Sequence, residues 1–161
     1  MTTIRTTYDR LDQTIVRVMR TYGITLLRLA LALTYIWFGA LKVLQVSPVA
    51  DLVAQTVYWV PAAFFVPFLG VWEIAVGLGL LFRFALRLTL LFFFMQMAGT
   101  FLVLIIHPGL SFQDGNPLLL TVLGEFVVKN LVLLTAGVVI GSTVQRGEAE
   151  RQAAGATAQG R

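Results

Sequence analysis

The sequence contains no cysteine, which excludes an internal disulfide, a thiol redox centre and a thiolate metal site. Its one histidine, His107, rules out a bis-histidine haem within one chain and leaves any zinc site to carboxylates or a second chain. Charge is equally scarce. Asp, Glu, Lys and Arg make up 12% of the 161 residues, against about 25% in ordinary soluble domains. Lysine occurs only at Lys42 and Lys129; every other basic residue is arginine. In place of charge there is apolar surface, 58% of residues, with a mean hydropathy of +0.84. A soluble chain of this length has no room to hide so much, so its solvent is in part lipid. The net charge of +4 does not mark a nucleic-acid binder. The basic residues flank apolar segments and form no basic face, which suits orientation in a membrane.

The composition and pattern predict an all-α membrane protein, a four-transmembrane-helix bundle with an N-terminal amphipathic interfacial helix. Four apolar stretches reach the roughly 20 residues needed to cross a bilayer: 24–46, 62–82, 86–107 and 117–141. Pro48, Pro61, Pro108 and Pro117 fall near their ends. Arg5, Arg10, Arg17 and Arg20 precede the first span, Arg83 and Arg87 surround the turn between the second and third, and Arg146, Arg151 and Arg161 follow the fourth. The other two connections carry Asp51 and Asp114 and no Lys or Arg. The positive-inside rule then puts both termini in the cytoplasm, with Tyr22 at the inner interface and Tyr58 and Trp59 at the outer one.

Residues 1–23 have another character. Leu11, Ile15, Val18, Met19 and Tyr22 recur at helical spacing, with Arg10, Arg17 and Arg20 as polar partners. This is the pattern of a helix lying on the inner leaflet, or of a short helix docked on a protein partner. Residues 142–161, ending "EAERQAAGATAQGR", are small and polar and read as a disordered cytoplasmic tail.

The spans themselves carry polar residues, which are costly in lipid and usually face a bundle interior and pair. Thr121, Glu125 and Lys129 recur every four residues on the fourth span, followed by Asn130. Gly70, Glu73 and Gly77 share a face of the second, where small residues admit another helix. Arg28, Tyr35, Gly39 and Lys42 fall near one line on the first, and Gln96, Thr100 and His107 on the third. At 1.5 Å per residue, Glu73 and Lys129 lie roughly 16–18 Å below the outer ends of their spans, with Lys42 and Glu125 above them. The alternating set Lys42, Glu125, Lys129, Glu73 is therefore expected to form a neutral polar ladder with Glu73 facing Lys129. Such a ladder either holds four helices in register or serves a function. Arg28 is close enough to the inner surface to snorkel. His107 reads as an interfacial residue or a proton relay, and Trp37 and Trp72 as packing residues or a quinone-stacking pair. With Tyr35, Gln96, Thr100, Thr121 and Asn130 they are the candidate ligand-lining residues.

Three segments carry a family resemblance. "LRLALALTYIWFGALKV" resembles the first span of DoxX-like membrane proteins, "GVWEIAVGLGLLF" their second, and "GEFVVKNLVLLTAG" their fourth. The long outer connection and the His-Pro closing the third span are similar to the branch that includes the YkgB-type inner-membrane proteins. The resemblance covers roughly residues 24–141. It implies a four-helix bundle in the bacterial inner membrane and a redox-associated role, since some relatives are subunits of thiosulfate:quinone oxidoreductases and others are linked to oxidative-stress defence. Many have no assigned reaction. No residue here supplies an electron carrier, so any redox chemistry needs a bound isoprenoid quinone or a partner's cofactor. The resulting expectation is a quinone- or lipid-associated accessory protein of a membrane redox system. Its partners would be membrane lipids and a larger redox complex or a second copy of the chain. The alternatives are a structural or assembly subunit, docking through the Gly70/Gly77 face and the amphipathic N-terminal helix, and an oligomeric proton-coupled transporter using Glu73 and Glu125.

Overall fold

A computed structural model describes the backbone of residues 2–48, 50–57 and 59–159, and the side chains of residues 12–144 apart from 49, 52, 54, 55 and 58. Among the described residues seven α-helices follow in order: α1 (Thr2–Val43), α2 (Ala50–Thr56), α3 (Ala62–Phe82), α4 (Leu86–Ile106), α5 (Pro108–Ser111), α6 (Val122–Val128) and α7 (Asn130–Gln159). Four segments are long and apolar enough to cross a membrane: Asp12–Val43, Ala62–Phe82, Leu86–Ile106 and Val122–Val144. Many large apolar side chains on them point outward, among them Leu33, Phe64, Leu91, Ile105 and Val132. A water-soluble monomer does not tolerate such a surface. The chain is a small integral membrane protein with an all-α, four-helix transmembrane bundle.

The helices form a ring. α1 packs along α3, α3 beside α4, α4 beside α7, and α7 beside α1. The tightest pairing is α1 on α3. A methyl group built on Gly39 would lie 2.5 Å from the Gly70 carbonyl oxygen, and one on Gly70 would lie 2.6 Å from the Gly39 carbonyl oxygen. Only glycine at both positions lets two backbones touch in this way, and membrane helices rely on such contacts because lipid supplies no hydrophobic drive. The expected small face of α3 thus exists, and α1 covers it.

One end of the bundle holds the turn Arg83–Ala85, with Arg83 in the left-handed region at φ 56°. Here Arg28 donates to the carbonyl oxygens of Leu80 and Leu81 at 2.7 and 3.0 Å. These are carbonyls at the end of α3 that lack helical partners. Arg28 therefore closes α3 from α1, a role that sequence spacing did not reveal. Above this turn end the ring is filled by Leu31, Ala32 and Tyr35 of α1, Val76 and Leu80 of α3, Leu90, Phe93 and Met97 of α4, and Ala136 and Ile140 of α7.

Three boundaries differ from expectation. α1 runs unbroken through Gly23, so residues 12–22 extend the first span and form no separate helix. One glycine costs a helix only about 1 kcal/mol, too little to end it without a proline or cap. The stripe of Ile15, Val18, Met19 and Tyr22 is exposed; the side chains of Arg10 and Leu11, and Tyr58, lie outside the described residues. α7 continues to Gln159, where a disordered tail was expected. The segment "EAERQAA" consists of strong helix formers.

The third difference matters most for the site. The fourth span starts at Val122, five residues after the expected Pro117. Residues 117–120 are apolar but fold back in the connection at the other end of the bundle, the loop end. Phe112 and Leu120 form an isolated antiparallel bridge, and Gln113 donates its backbone N–H to the Leu119 oxygen at 2.7 Å. Thr121 then caps α6, accepting from the Gly124 N–H at 3.1 Å and donating its hydroxyl to the Leu110 carbonyl. Gly124 lies directly against the Ser111 carbonyl, where any side chain would collide.

Candidate functional site

The charges of the expected ladder separate into two pairs. Lys42 Nζ donates to both carboxylate oxygens of Glu73, at 2.8 and 2.7 Å, and the two side chains are only 7% and 9% exposed. Glu73 therefore pairs with Lys42, and the expected Glu73–Lys129 contact is corrected. Lys129 instead lies 3.7 Å from Glu125, one helical turn away, with side chains 76% and 57% exposed. The late start of the fourth span explains this. Glu125 and Lys129 sit about 7 Å nearer the loop end than a span from Pro117 implied. They face outward, where a long side chain can snorkel.

The Lys42–Glu73 contact follows from helix geometry. α1 and α3 run antiparallel and cross at Gly39 and Gly70, which places the Cα atoms of Lys42 and Glu73 on opposite sides of the crossing. A side chain leans toward the N-terminus of its own helix. In this pair Lys42 leans toward the turn end and Glu73 toward the loop end, so their tips meet between the two levels.

Gln96 of α4 completes the group by donating Nε2–H to Glu73 Oε1. Near the turn, α3 and α4 are close, with Gly79 against Thr89. Toward the loop end they are bridged by the long side chains of Glu73 and Gln96. The tight α1–α3 contact and this wider α3–α4 spacing leave a cavity of about 340 Å³ inside the ring. Tyr35, Lys42, Trp72, Glu73, Gln96 and Thr100 are among its lining residues. Val53, Thr56 and Val57 of the 44–61 connection also line it, so α2 lies over its loop end.

Most of the wall is apolar and aromatic. Phe38, Phe65, Phe68 and Phe126 line it, and Trp72 packs on Phe68 and on Phe92, with ring centroids 6.2 and 4.7 Å apart. Among the described residues three buried side-chain polar atoms have no protein hydrogen-bond partner: the Tyr35 hydroxyl, the Trp72 indole nitrogen and the Gln96 carbonyl oxygen, all on residues that line the cavity but with almost no surface open to it. Each such orphan carries an unmet desolvation cost. An apolar cavity with a few convergent polar groups is the usual form of a small-molecule site.

The other candidate residues divide clearly. Asn130 lines the cavity and donates its side-chain amide to the Phe126 carbonyl oxygen at 3.2 Å. Thr100 lines it too, its hydroxyl bonded to the Gln96 backbone carbonyl at 3.1 Å. Trp37 is exposed on the opposite face of α1, away from Trp72, so the two do not form a stacking pair. His107 closes α4 at the loop end, and its carbonyl accepts from Ser111 Oγ at 3.2 Å. Thr121 is the cap of α6. Among the described residues no group of three or more His, Asp or Glu comes together as a metal site. Sequence reasoning missed Phe38, Phe68 and Thr56, which carry no signal apart from ordinary apolar or hydroxyl character. In comparisons with known proteins, the chain matches no family model, no curated protein and no solved structure.

Proposed function

We propose that this membrane protein is a quinone- or lipid-associated accessory component of a membrane redox system, and that the cavity at Lys42, Glu73 and Gln96 holds the ligand's headgroup. The observation that carries the reading is an aromatic-walled cavity of about 340 Å³ whose lining includes the buried Lys42–Glu73 ion pair and Gln96. A ring bearing oxygen substituents matches both the flat walls and the hydrogen-bonding groups. The resemblance to DoxX-like proteins supports a redox association, and Glu73 and Lys42 then act as polar anchors for the headgroup. The chain would donate or accept no electrons by itself, so its partner is a larger redox complex of the bacterial inner membrane.

The test is direct. Protein extracted in mild detergent is expected to carry an isoprenoid quinone or a defined lipid in its organic extract. Added short-chain quinone at about 100 times its dissociation constant is expected to stabilise the fold by about 2.7 kcal/mol. No isoprenoid or lipid in the extract, together with an unchanged melting temperature, sinks the proposal.

The orientation belongs to the same reading. With both termini cytoplasmic, Asp114→Cys in intact cells is expected to react with an impermeant thiol reagent and Gln145→Cys to stay unlabelled. The reverse pattern overturns it. In a docking role α1 already covers the Gly70 and Gly77 face, which leaves the exposed stripe Ile15, Val18, Met19 and Tyr22 as the surface for a partner. In a transport role Glu73 lines the cavity while Glu125 is exposed outside its lining.

A further inference from the structure

We infer that the site opens sideways into the bilayer between α3 and α4, at Gly99, and that its ligand is an amphiphile whose chain leaves the cavity there. This rests on the proposed quinone or lipid association and adds the path of the chain and the residue that keeps it clear.

Glycine inside a helix costs about 0.5–1 kcal/mol relative to alanine, so a glycine within a span calls for a reason. Elsewhere in the bundle the reason is packing. A methyl group on Gly39, Gly70, Gly77, Gly79 or Gly137 would collide with a facing helix. Gly99 lies inside α4 without such a neighbour: among the described residues no atom lies within 4 Å of the methyl it lacks. Yet Gly99 lines the cavity and is exposed. Open space beside a residue that both lines a cavity and meets the outside marks a gap in the wall. Met95, one turn away on α4, and Phe68 on α3 also line the cavity, and they are 55% and 47% exposed. Toward the turn end the same flank is shut by Trp72 on Phe92. The gap therefore lies on the loop side of that contact, where the Glu73 and Gln96 side chains span the wider spacing of α3 and α4.

The other routes are covered. α2 lies over the loop end through Val53, Thr56 and Val57. Between α1 and α6, Phe38 and Phe126 are exposed lining residues too, but their rings meet, with centroids 6.3 Å apart. The turn end is filled by the packed core. A cavity of about 340 Å³ is at the small end of the range for ligand sites, about 300–1,000 Å³. It suits a headgroup without its chain. The chain then has an outlet over Gly99 into lipid, a solvent as apolar as itself.

The experiment uses the full chain in nanodiscs of phosphatidylcholine, titrated with a decyl-tailed benzoquinone and with the same ring lacking the tail. Equilibrium dialysis gives both dissociation constants. Gly99→Leu places a branched side chain in the outlet, where it meets the bound chain as an overpacked core side chain meets its neighbours. It is expected to weaken the tailed quinone by roughly ten- to hundredfold and to change binding of the bare ring by less than about threefold. Gly23→Leu, at an open glycine outside the cavity lining, is expected to change neither. Met95→Trp narrows the same outlet and serves should Gly99→Leu fail to fold. Unchanged binding of the tailed quinone overturns the inference and leaves the quinone site standing. Equal loss of both ligands overturns it too, because the new side chain then fills the headgroup space. The organic extract of each purified protein covers a phospholipid ligand. If added quinone does not bind and the wild-type extract holds phospholipid, the site belongs to lipid. Less of it in Gly99→Leu supports the outlet, and an equal amount overturns it. If wild type neither binds quinone nor carries an amphiphile, the inference falls together with the proposed function.

Discussion

Lys42→Met is expected to cost about 3–5 kcal/mol of stability, because it leaves the buried Glu73 carboxylate without its counter-charge. The double variant Lys42→Met/Glu73→Gln is expected to recover a substantial part of that loss, since no unpaired charge remains. The pair in question is almost fully enclosed, and its two contacts at 2.8 and 2.7 Å are bidentate. The control lies in the same chain. Lys129 and Glu125 form a pair at 3.7 Å that is mostly exposed, and Lys129→Met is expected to change stability by no more than about 1 kcal/mol. Reversible unfolding in mixed micelles measures these three variants together with Glu73→Gln. Effects of Lys42→Met and Glu73→Gln that simply add, with no coupling in the cycle, would show that the two residues do not act as a pair. A Lys129→Met loss as large as that of Lys42→Met would show that the wrong pair has been placed inside.

The second large effect is expected at the helix crossing. Gly39→Ala brings a methyl to 2.5 Å from the Gly70 oxygen and 2.9 Å from the Ile74 nitrogen, both backbone atoms that cannot swing aside. Overpacking of this kind costs about 1–3 kcal/mol, and Gly39→Leu is expected to prevent α1 from docking on α3 at all. Gly23 belongs to the same helix and has no atom within 4 Å of the added methyl. Gly23→Ala is expected to be neutral or to stabilise by about 0.5–1 kcal/mol through helix propensity. Melting temperatures in detergent separate the two. Equal tolerance at both positions would mean that the close crossing does not exist.

Hydropathy was a good guide wherever apolar residues were also helical. The second span was legible as 62–82 and is Ala62–Phe82; the third differs by one residue at His107. It misled at "PLLL", residues 117–120, because apolar character does not distinguish a helix from a loop-end fold-back. The signals that decide there are the Thr121 cap and the Ser111 carbonyl against Gly124, and the second of these is tertiary. That one error moved Glu125 and Lys129 too deep and turned a surface pair into two rungs of a ladder. The choice of Lys42 and Glu73 as intramembrane residues was sound, since charge inside an apolar run needs a reason. Their pairing was not legible from depth along each helix. It depends on which way side chains lean across an antiparallel crossing, and so on knowing that α1 and α3 are neighbours. The cavity was partly legible through Tyr35, Gln96 and Thr100, which lay on polar stripes, through Asn130 beside one of them, and through Trp72 by its aromatic character. Trp37 and His107 were marked by the same logic and stand elsewhere, because residue type does not reveal which face of the bundle a side chain meets.

The position of the ion pair also bears on how the chain is made. Synthesis runs from the N-terminus, so α1 and its Lys42 enter the membrane before α3. A lone carboxylate at the centre of an inserting helix costs about 2.5–3.5 kcal/mol on translocon scales. Glu73 arrives beside a partner already in place, on the helix whose Gly39 fits against Gly70. The docking of α1 and α3 therefore lowers the cost of inserting Glu73 during biogenesis. α4, which brings Gln96, comes afterwards, and the cavity takes its shape only when the last two spans close the ring.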